Sequence, residues 1–175
     1  ICECNEFFNR LGRNNVVFKI TDLTQYCEEN AFDLILSVDV MEHIENDIAV
    51  FKNFYTSLRP DGMLLISTPS DQGGSDVHEA GQKSFIEEHV RDGYNINEIQ
   101  EKLKKTGFSN VYARYSYGTP GKFSWKLSMK FPILLLNFSK LFYVFLPFYF
   151  LIVYPFAYLL NYIDARMIHK SGTWL

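Results

Sequence analysis

The sequence predicts an α/β fold with a parallel sheet, because one stretch of the chain has the pattern of strand, loop, helix, turn and strand. Phe32–Val38 is an almost continuous apolar run of strand length, typical of a strand buried on both faces of a parallel sheet. Residues 47–59 carry apolar side chains at helical spacing, and residues 63–68 form a second apolar run. A helix that joins two parallel strands makes a right-handed βαβ unit, the building block of a doubly wound sheet.

The connections within this unit carry clear signals. Asn46 is a candidate N-cap for the helix, whose predicted apolar face contains Ile48, Phe51, Phe54, Tyr55 and Leu58. Residues 60–62 (Pro-Asp-Gly) predict the turn that ends the helix. The polar residues that follow the first strand stand at the edge where open α/β sheets bind ligands; they are Asp39, Glu42 and His43.

Three short motifs lie in this stretch: Phe32-Asp33-Leu34, Glu42-His43 and Leu58-Arg59-Pro60-Asp61-Gly62. In this order and spacing they resemble class I S-adenosylmethionine-dependent methyltransferases of the type 11/12-like group, and the resemblance covers about residues 16–111. It implies a Rossmann-like doubly wound sheet with S-adenosyl-L-methionine as cofactor. The first strands, the Gly-rich loop and the ribose-binding acidic residue of that family would precede Ile1. We therefore expect a piece of a longer protein, with an incomplete sheet and no activity alone.

The elements on either side of the unit follow from local patterns. Residues 1–13 have the pattern of a helix end with Gly12 as its C-terminal cap, and residues 16–20 predict a short β-branched strand. Residues 95–106 predict a surface helix that opens with a capping box. Residues 108–117 alternate in the manner of a strand.

The resemblance also implies which residues bind the cofactor. Asp22 would accept a hydrogen bond from the adenine amine, and Leu23 would cover the ring. The alternative is that Asp22 only ends its strand. At the end of the next strand, the implied cofactor contacts are Ser37, Val38 and Asp39.

Asp39, Glu42 and His43 are the candidate catalytic constellation. Ubiquinone-pathway O-methyltransferases and small-RNA 2′-O-methyltransferases carry Glu-x-x-Glu-His at this place with a divalent metal, so the resemblance implies Mg²⁺ held by these three residues. A metal there would lower the pKa of an acceptor hydroxyl. Two alternatives stay open: Glu42 and His43 act as metal-free acid–base groups, or they form a structural pair that orients the loop.

A polar segment rich in Gly, Ser and His covers residues 71–94, again after a strand of the unit. Long loops at this position of a compact domain are usually functional. The candidates for acceptor binding in it are His78, His89, Arg91 and Tyr94. The alternative is a solvated loop whose charges face water.

The composition changes sharply in the C-terminal third. Residues 131–163 are almost entirely apolar and aromatic, and residues 141–160 carry no charge over about the length that crosses a bilayer. Cations flank this run on both sides, which fits an in-plane or re-entrant hairpin as well as a span. A lid packed on the domain or a dimer interface are the alternatives. We predict a partial methyltransferase domain over residues 1–121, an apolar helical insertion over 122–169 and the start of a last strand over 170–175.

Composition narrows the class of partner. A net charge of −3 argues against a nucleic-acid binder that relies on phosphate contacts. The odd cysteine count (Cys2, Cys4 and Cys27) indicates reduced thiols and a cytoplasmic setting. We therefore expect a methyltransferase on the cytoplasmic face of a membrane, acting on an oxygen of a hydrophobic or lipid-like acceptor. A soluble acceptor, or a degenerate domain acting as a membrane scaffold, are the competing interpretations, and the sequence leaves the oligomeric state open.

Overall fold

The computed structural model describes residues 2–72, 90–91 and 93–175. The strands in this part of the chain are β1 (Phe32–Val38) and β2 (Leu58–Ser67). The α-helices are α1 (Cys2–Arg10), α2 (Asp47–Ser57), α3 (Ile96–Lys105), α4 (Thr119–Trp125), α5 (Phe131–Phe138) and α6 (Leu146–Arg166). Shorter helical turns are the 3₁₀ segments Met41–His43 and Lys140–Phe145 and the π-helical segment Lys126–Lys130.

The predicted βαβ unit is confirmed. β1 pairs with β2 in parallel, in a register that runs from Leu34 opposite Met63 to Val38 opposite Ser67. One face of β1 is open, however, with Leu34, Leu36 and Val38 between 49% and 61% exposed. The expectation that β1 is buried on both faces therefore fails in the described chain, because α2 covers only the other face.

The boundary between α2 and β2 differs from the prediction. α2 ends at Ser57 rather than residue 59, and residues 60–62 form an irregularity within β2 rather than a separate turn. Pro60 disfavours the helical region for Arg59, which is extended instead and donates to Asp33 at 2.8 Å. At this irregularity Asp61 adopts the left-handed region of the backbone, with a φ of 64°.

The core lies between α2, α3 and the loop after β1. Its buried side chains are Met41, Val50, Phe51, Phe54, Tyr94 and Ile99. The side chain of Asn46 accepts from the Ala49 amide at 3.3 Å, which confirms the predicted N-cap. Ile48 and Tyr55, predicted on the apolar face, are 40% and 47% exposed, since the helix turns Val50 inward instead.

Two predicted strands are not formed. Residues 16–20 have no ladder partner among the described residues; the side chain of Asn5 instead binds both the N–H and the carbonyl of Phe18, at 2.8 and 3.0 Å. Residues 108–117 contain only single bridges, from Tyr115 to His169 and from Ser116 to Trp174. A β-branched or aromatic pattern makes a strand only where a neighbouring strand supplies hydrogen bonds.

The last residues return to the sheet. The N–H and carbonyl of Leu175 both bond to Thr68, at 2.9 and 3.2 Å, just past the end of β2. Trp174 forms antiparallel bridges to Pro69 on one side and Ser116 on the other. Residues 174 and 175 therefore lie beside the end of β2, and the last strand expected to start over residues 170–175 stays a prediction.

Residues 119–166 form a helical hairpin. Three contacts fix its two limbs as antiparallel: Gly121 to Asp164 at 2.9 Å, Ser124 to Ala157 at 2.9 Å, and Tyr149 to Leu127 at 2.6 Å. The outward limb runs through α4, the π-helical segment and α5, and α6 is the return limb. Both ends of the hairpin consequently meet on the same side of the molecule.

Candidate functional site

Asp39 stands at the carboxyl end of β1, where the chain leaves the sheet. Its N–H still donates to Ser67 of β2 at 2.9 Å, and its φ of 50° then turns the backbone away. Aspartate tolerates this left-handed conformation better than most residues. The exposed carboxylate accepts from the indole N–H of Trp174 at 2.9 Å. An anionic group and an aromatic ring thus lie together at the ligand edge of the sheet.

Glu42 and His43 have different surroundings although they are neighbours in one 3₁₀ turn. Glu42 is 2% exposed, and its carboxylate accepts from the Thr68 hydroxyl at 3.2 Å. Its carbonyl accepts from the Val90 amide at 3.0 Å. His43 is exposed. The contacts of Glu42 join the loop to the end of β2, which favours the alternative that Glu42 orients the loop.

The predicted metal-ligand set is not formed. No three His, Cys, Asp or Glu side chains among the described residues are placed to hold a metal ion. Asp39 is directed to Trp174 and Glu42 to Thr68, while His43 lies on the exposed side of the turn. The left-handed turn at Asp39 and the burial of Glu42 separate the carboxylates, so this geometry does not support Mg²⁺ at Asp39, Glu42 and His43.

A buried ionic cluster lies behind this loop, centred on Asp47 at the first turn of α2. Its carboxylate accepts from Arg91 at 2.6 Å, from Lys102 at 2.8 Å and from the Tyr94 hydroxyl at 2.7 Å. Burial by itself would raise the pKa of Asp47, but the hydrogen bonds from Lys102 and Tyr94 and the nearby Arg91 charge hold that pKa below its usual range. Burial, and then the bond to Asp47, raises the pKa of Tyr94.

Two predicted acceptor residues belong to this cluster. Tyr94 is fully buried, and the Arg91 guanidinium lies over its ring at 4.8 Å. Arg91 also donates to the Ile44 carbonyl at 2.7 Å. These contacts fasten Arg91 and Tyr94 to α2 and to the loop before it, and their contact with an acceptor stays a prediction. The other two predicted acceptor residues, His78 and His89, lie outside the described residues.

Sequence reasoning missed the importance of Asp47 and Lys102. Asp47 is an ordinary acid in the first turn of a helix, and Lys102 is an ordinary cation near the negative C-terminal end of α3. Their contact joins residues 55 positions apart. The sequence shows only that one amphipathic helix begins with an acid and that the next one carries a lysine, and this does not predict that the two side chains meet.

Two of the candidate cofactor residues, Leu23 and Ser37, line an apolar cavity of about 290 Å³ beside β1. Ser37 is 4% exposed, and its hydroxyl has no hydrogen-bond partner. The cavity is lined by Leu23, Tyr26, Phe32, Leu34, Ile35, Leu36, Ser37, Val40, Phe54 and Ser57. The cavity is thus apolar apart from a few polar groups, and the buried Ser37 hydroxyl among them lacks a partner in the described chain. Val38, by contrast, is 49% exposed and does not line it.

Asp22 lies next to this cavity but bonds within its own turn. Its carboxylate accepts from the Thr24 amide at 2.9 Å and the Thr24 hydroxyl at 2.7 Å. These bonds, the hydroxyl first, lower the pKa of Asp22. The carboxylate is exposed, so the turn holds it in position with lone pairs to spare. Its contact with adenine stays a prediction.

Comparison with known proteins gives a consistent family. A family model described as a methyltransferase domain matches residues 5–113. Phosphoethanolamine N-methyltransferase 1 of Triticum aestivum is 33% identical over 106 residues, which cover 59% of this chain and 21% of that protein. Phosphoethanolamine N-methyltransferase 2 of Caenorhabditis elegans is 31% identical over 99 residues, 56% of this chain and 22% of that protein. The chain thus spans about a fifth of the length of these curated relatives.

A solved structure of phosphoethanolamine N-methyltransferase 2 from Haemonchus contortus, in complex with S-adenosyl-L-methionine, shows the same fold. It matches 97% of this chain and 38% of its own chain with a TM-score of 0.59 at 22% identity. The predicted fold class is thereby confirmed: a Rossmann-like class I methyltransferase sheet, incomplete here, with a C-terminal helical segment.

Proposed function

Because this chain belongs to the methyltransferase domain family, we propose that its protein transfers the methyl group of S-adenosyl-L-methionine to a small-molecule acceptor. The family match over residues 5–113 carries this proposal, since it includes the whole βαβ unit and its ligand-edge loop. Leu23 and Ser37 would hold the base of the cofactor in the cavity beside β1. The bound cofactor supplies a methyl group on a positively charged sulfur.

We propose that the methylated atom is a nitrogen, in place of the oxygen expected from the sequence. The wheat and C. elegans relatives are named for N-methylation of phosphoethanolamine, a small amine with an anionic phosphate. The exposed Asp39 carboxylate beside Trp174 suits an ammonium group, because it offers charge attraction together with an aromatic ring. A phosphoethanolamine-like amine is therefore the proposed acceptor class.

The chemistry requires a neutral amine in line with the methyl group. The nitrogen lone pair forms the new N–C bond as the C–S bond breaks, and the sulfur keeps that electron pair. An ammonium acceptor must first lose a proton to a base, and the His43 imidazole at the ligand edge is the proposed base. Glu42 positions the turn that carries His43 through its bond to Thr68. Alignment of acceptor and methyl group supplies much of the rate.

The test uses the full-length protein and labelled S-adenosyl-L-methionine with two acceptors that differ in one atom: phosphoethanolamine and 2-hydroxyethyl phosphate. We expect label in the amine only. His43→Gln should lower kcat by about 10²-fold or more, the range for loss of an acid–base group. The matched control Glu45→Gln, an exposed residue of the same loop, should leave the rate unchanged.

Two results would contradict the proposal in different ways. Label in the hydroxyl compound alone would restore the oxygen acceptor. The absence of both turnover and cofactor binding would favour the scaffold interpretation, in which the fold is kept without chemistry.

A further inference from the structure

The helical hairpin of residues 119–166 carries an unusually large exposed apolar surface. Its continuous helical stretch Lys140–Arg166 is long and apolar enough to cross a membrane, yet only 6% of its apolar window is buried in the protein. The most exposed large side chains include Phe138 at 86%, Leu151 at 77% and Tyr143 at 72%. Within the described residues the hairpin is therefore not packed on the domain as a lid. A surface of this size needs a partner.

The charges on the hairpin indicate which partner. Between Thr119 and Ile163 the charged residues are all lysines, at positions 122, 126, 130 and 140, and no acidic residue offsets them. A second copy of the chain would bring the same cations to its interface. An anionic lipid surface instead attracts each lysine by about 1 kcal/mol. The rest of the chain is acidic, because the net charge of the whole is −3.

The contacts between the limbs decide the orientation. Gly121, Ser124 and Leu127 of the outward limb lie beside Asp164, Ala157 and Tyr149 of α6. The exposed lysines at 122, 126 and 130 therefore lie along the whole length of α6, with Lys122 beside its C-terminal end and Lys126 beside its middle. If α6 crossed the bilayer, Lys126 would enter the hydrocarbon, at about 2.5–3.5 kcal/mol or more.

The outward limb is also too short to span. Between Lys130 and Lys140 its uncharged stretch covers residues 131–139, about 13 Å of helix rise against a hydrocarbon core of about 30 Å. Placed flat, the hairpin lets all four lysines extend to the headgroups while the apolar side chains enter the acyl region.

We infer that the hairpin of residues 119–166 lies flat within one leaflet of an anionic bilayer, entering and leaving it on the same side. Its base is joined to the ligand edge of the sheet by the residues that follow α6: Trp174 bridges to Pro69, just past the end of β2, and donates to Asp39 at 2.9 Å. The docked hairpin brings that edge to the lipid surface. The inference also names the acceptor more closely as a lipid headgroup, and in this respect it rests on the proposed function.

Vesicle flotation tests the docking without any activity measurement. The full-length protein is mixed with phosphatidylcholine vesicles that contain either no anionic lipid or about a third phosphatidylserine. We expect flotation with the anionic vesicles, reduced by added salt, and at least tenfold lower recovery for the double variant Phe138→Glu, Leu151→Glu. The matched control Ile20→Glu, 87% exposed but outside the hairpin, should float as wild type does. Equal recovery of the hairpin variant and wild type would overturn the inference.

A labelling experiment on sealed vesicles tests the orientation. Ser139 lies between the two limbs at the tip, so Ser139→Cys is introduced after the cysteines of the full-length protein, Cys2, Cys4 and Cys27 among them, are changed to serine. A flat hairpin leaves the tip near the outer surface, and an impermeant maleimide should label it from outside. Labelling only after detergent would show that the hairpin crosses the bilayer.

The docking of the hairpin on a membrane and the proposed methyl transfer can be refuted independently of each other. Phe138→Glu, Leu151→Glu should bind S-adenosyl-L-methionine as wild type does in solution, which also shows that the variant is folded. Faster turnover on phosphatidylethanolamine vesicles than on free phosphoethanolamine at the same amine concentration supports the lipid headgroup. Turnover on the free compound alone would refute the lipid acceptor while leaving methyl transfer in place. Concentration-dependent dimerisation without lipid, lost in the hairpin variant, would assign the surface to a second copy instead.

Discussion

Replacing Asp47 by asparagine should destabilise the fold strongly, because its carboxylate is the shared acceptor of three donors. The Asp47 side chain is 5% exposed, and the side chains of Arg91 and Lys102 are 19% and 22% exposed. Asparagine keeps the shape and can still accept a bond, but it leaves Arg91 without its carboxylate partner in a largely buried place and Lys102 with Glu98 alone, at 2.6 Å. Breaking a buried pair costs about 3–5 kcal/mol, and the partial exposure of the cations places the expected loss near the lower end, about 3 kcal/mol.

Urea unfolding of wild type and variant measures this loss. The control is Asp33→Asn, whose ion pair with Arg59 is closely similar in length at 2.8 Å but whose side chain is 81% exposed. That variant should lose about 1 kcal/mol or less, as is usual for exposed pairs. Equal losses at both positions would refute the argument that burial makes the Asp47 cluster structural.

The same cluster sets an acid limit on stability. Since the pKa of Asp47 is lower in the folded state than its usual value, its stabilisation is complete above that usual value and is lost as the pH falls through the folded pKa. Wild type should therefore lose stability on acidification below about pH 4, and Asp47→Asn should show a flatter acid limb. An unchanged acid limb in the variant would contradict the assignment.

Three further substitutions test individual sites by denaturant unfolding or cofactor titration. Gly93→Ala places a Cβ 2.5 Å from the Ser70 backbone at a residue with a φ of 137°. It should therefore lower the free energy of unfolding by more than Gly12→Ala, whose residue has a φ of 71° and open space around it and which should lose about 1 kcal/mol. Equal losses would refute the close approach at Gly93. Glu42→Ala should lose about 1–3 kcal/mol by removing a buried hydrogen bond, while Glu42→Gln keeps most of it; a neutral Glu42→Ala would refute the positioning role. Ser37→Ala should leave stability unchanged, because its hydroxyl has no partner, and should weaken cofactor binding by about tenfold; undiminished binding would remove Ser37 from the cofactor site.

Local patterns predicted the βαβ unit well. β1 has the predicted bounds, and Asn46 caps α2 as expected, because apolar periodicity and a side-chain cap are encoded by near neighbours. Residues 16–20 and 108–117 carry strand patterns of equal strength but form no ladder, since a strand depends on a partner that the pattern itself does not contain. Local propensity therefore predicted an element correctly only where the described chain also supplies its hydrogen-bond partner.

The candidate site was predicted in position but not in detail. The ligand edge after β1 follows from topology, and Asp39, Glu42 and His43 do lie there. Their separation could not be predicted, because it depends on the positive φ at Asp39 and on the distant Thr68 and Trp174, the latter 135 positions away. The hairpin shows the same limit: composition indicated an apolar segment, and only the cross-limb contacts show that it folds back.

Calorimetric titration of the full-length protein with S-adenosyl-L-methionine tests the central claim most directly. The family match and the cavity beside β1 predict saturable binding at one site, with competition by S-adenosylhomocysteine. The absence of binding to a folded protein would contradict the account of this chain as part of a methyltransferase.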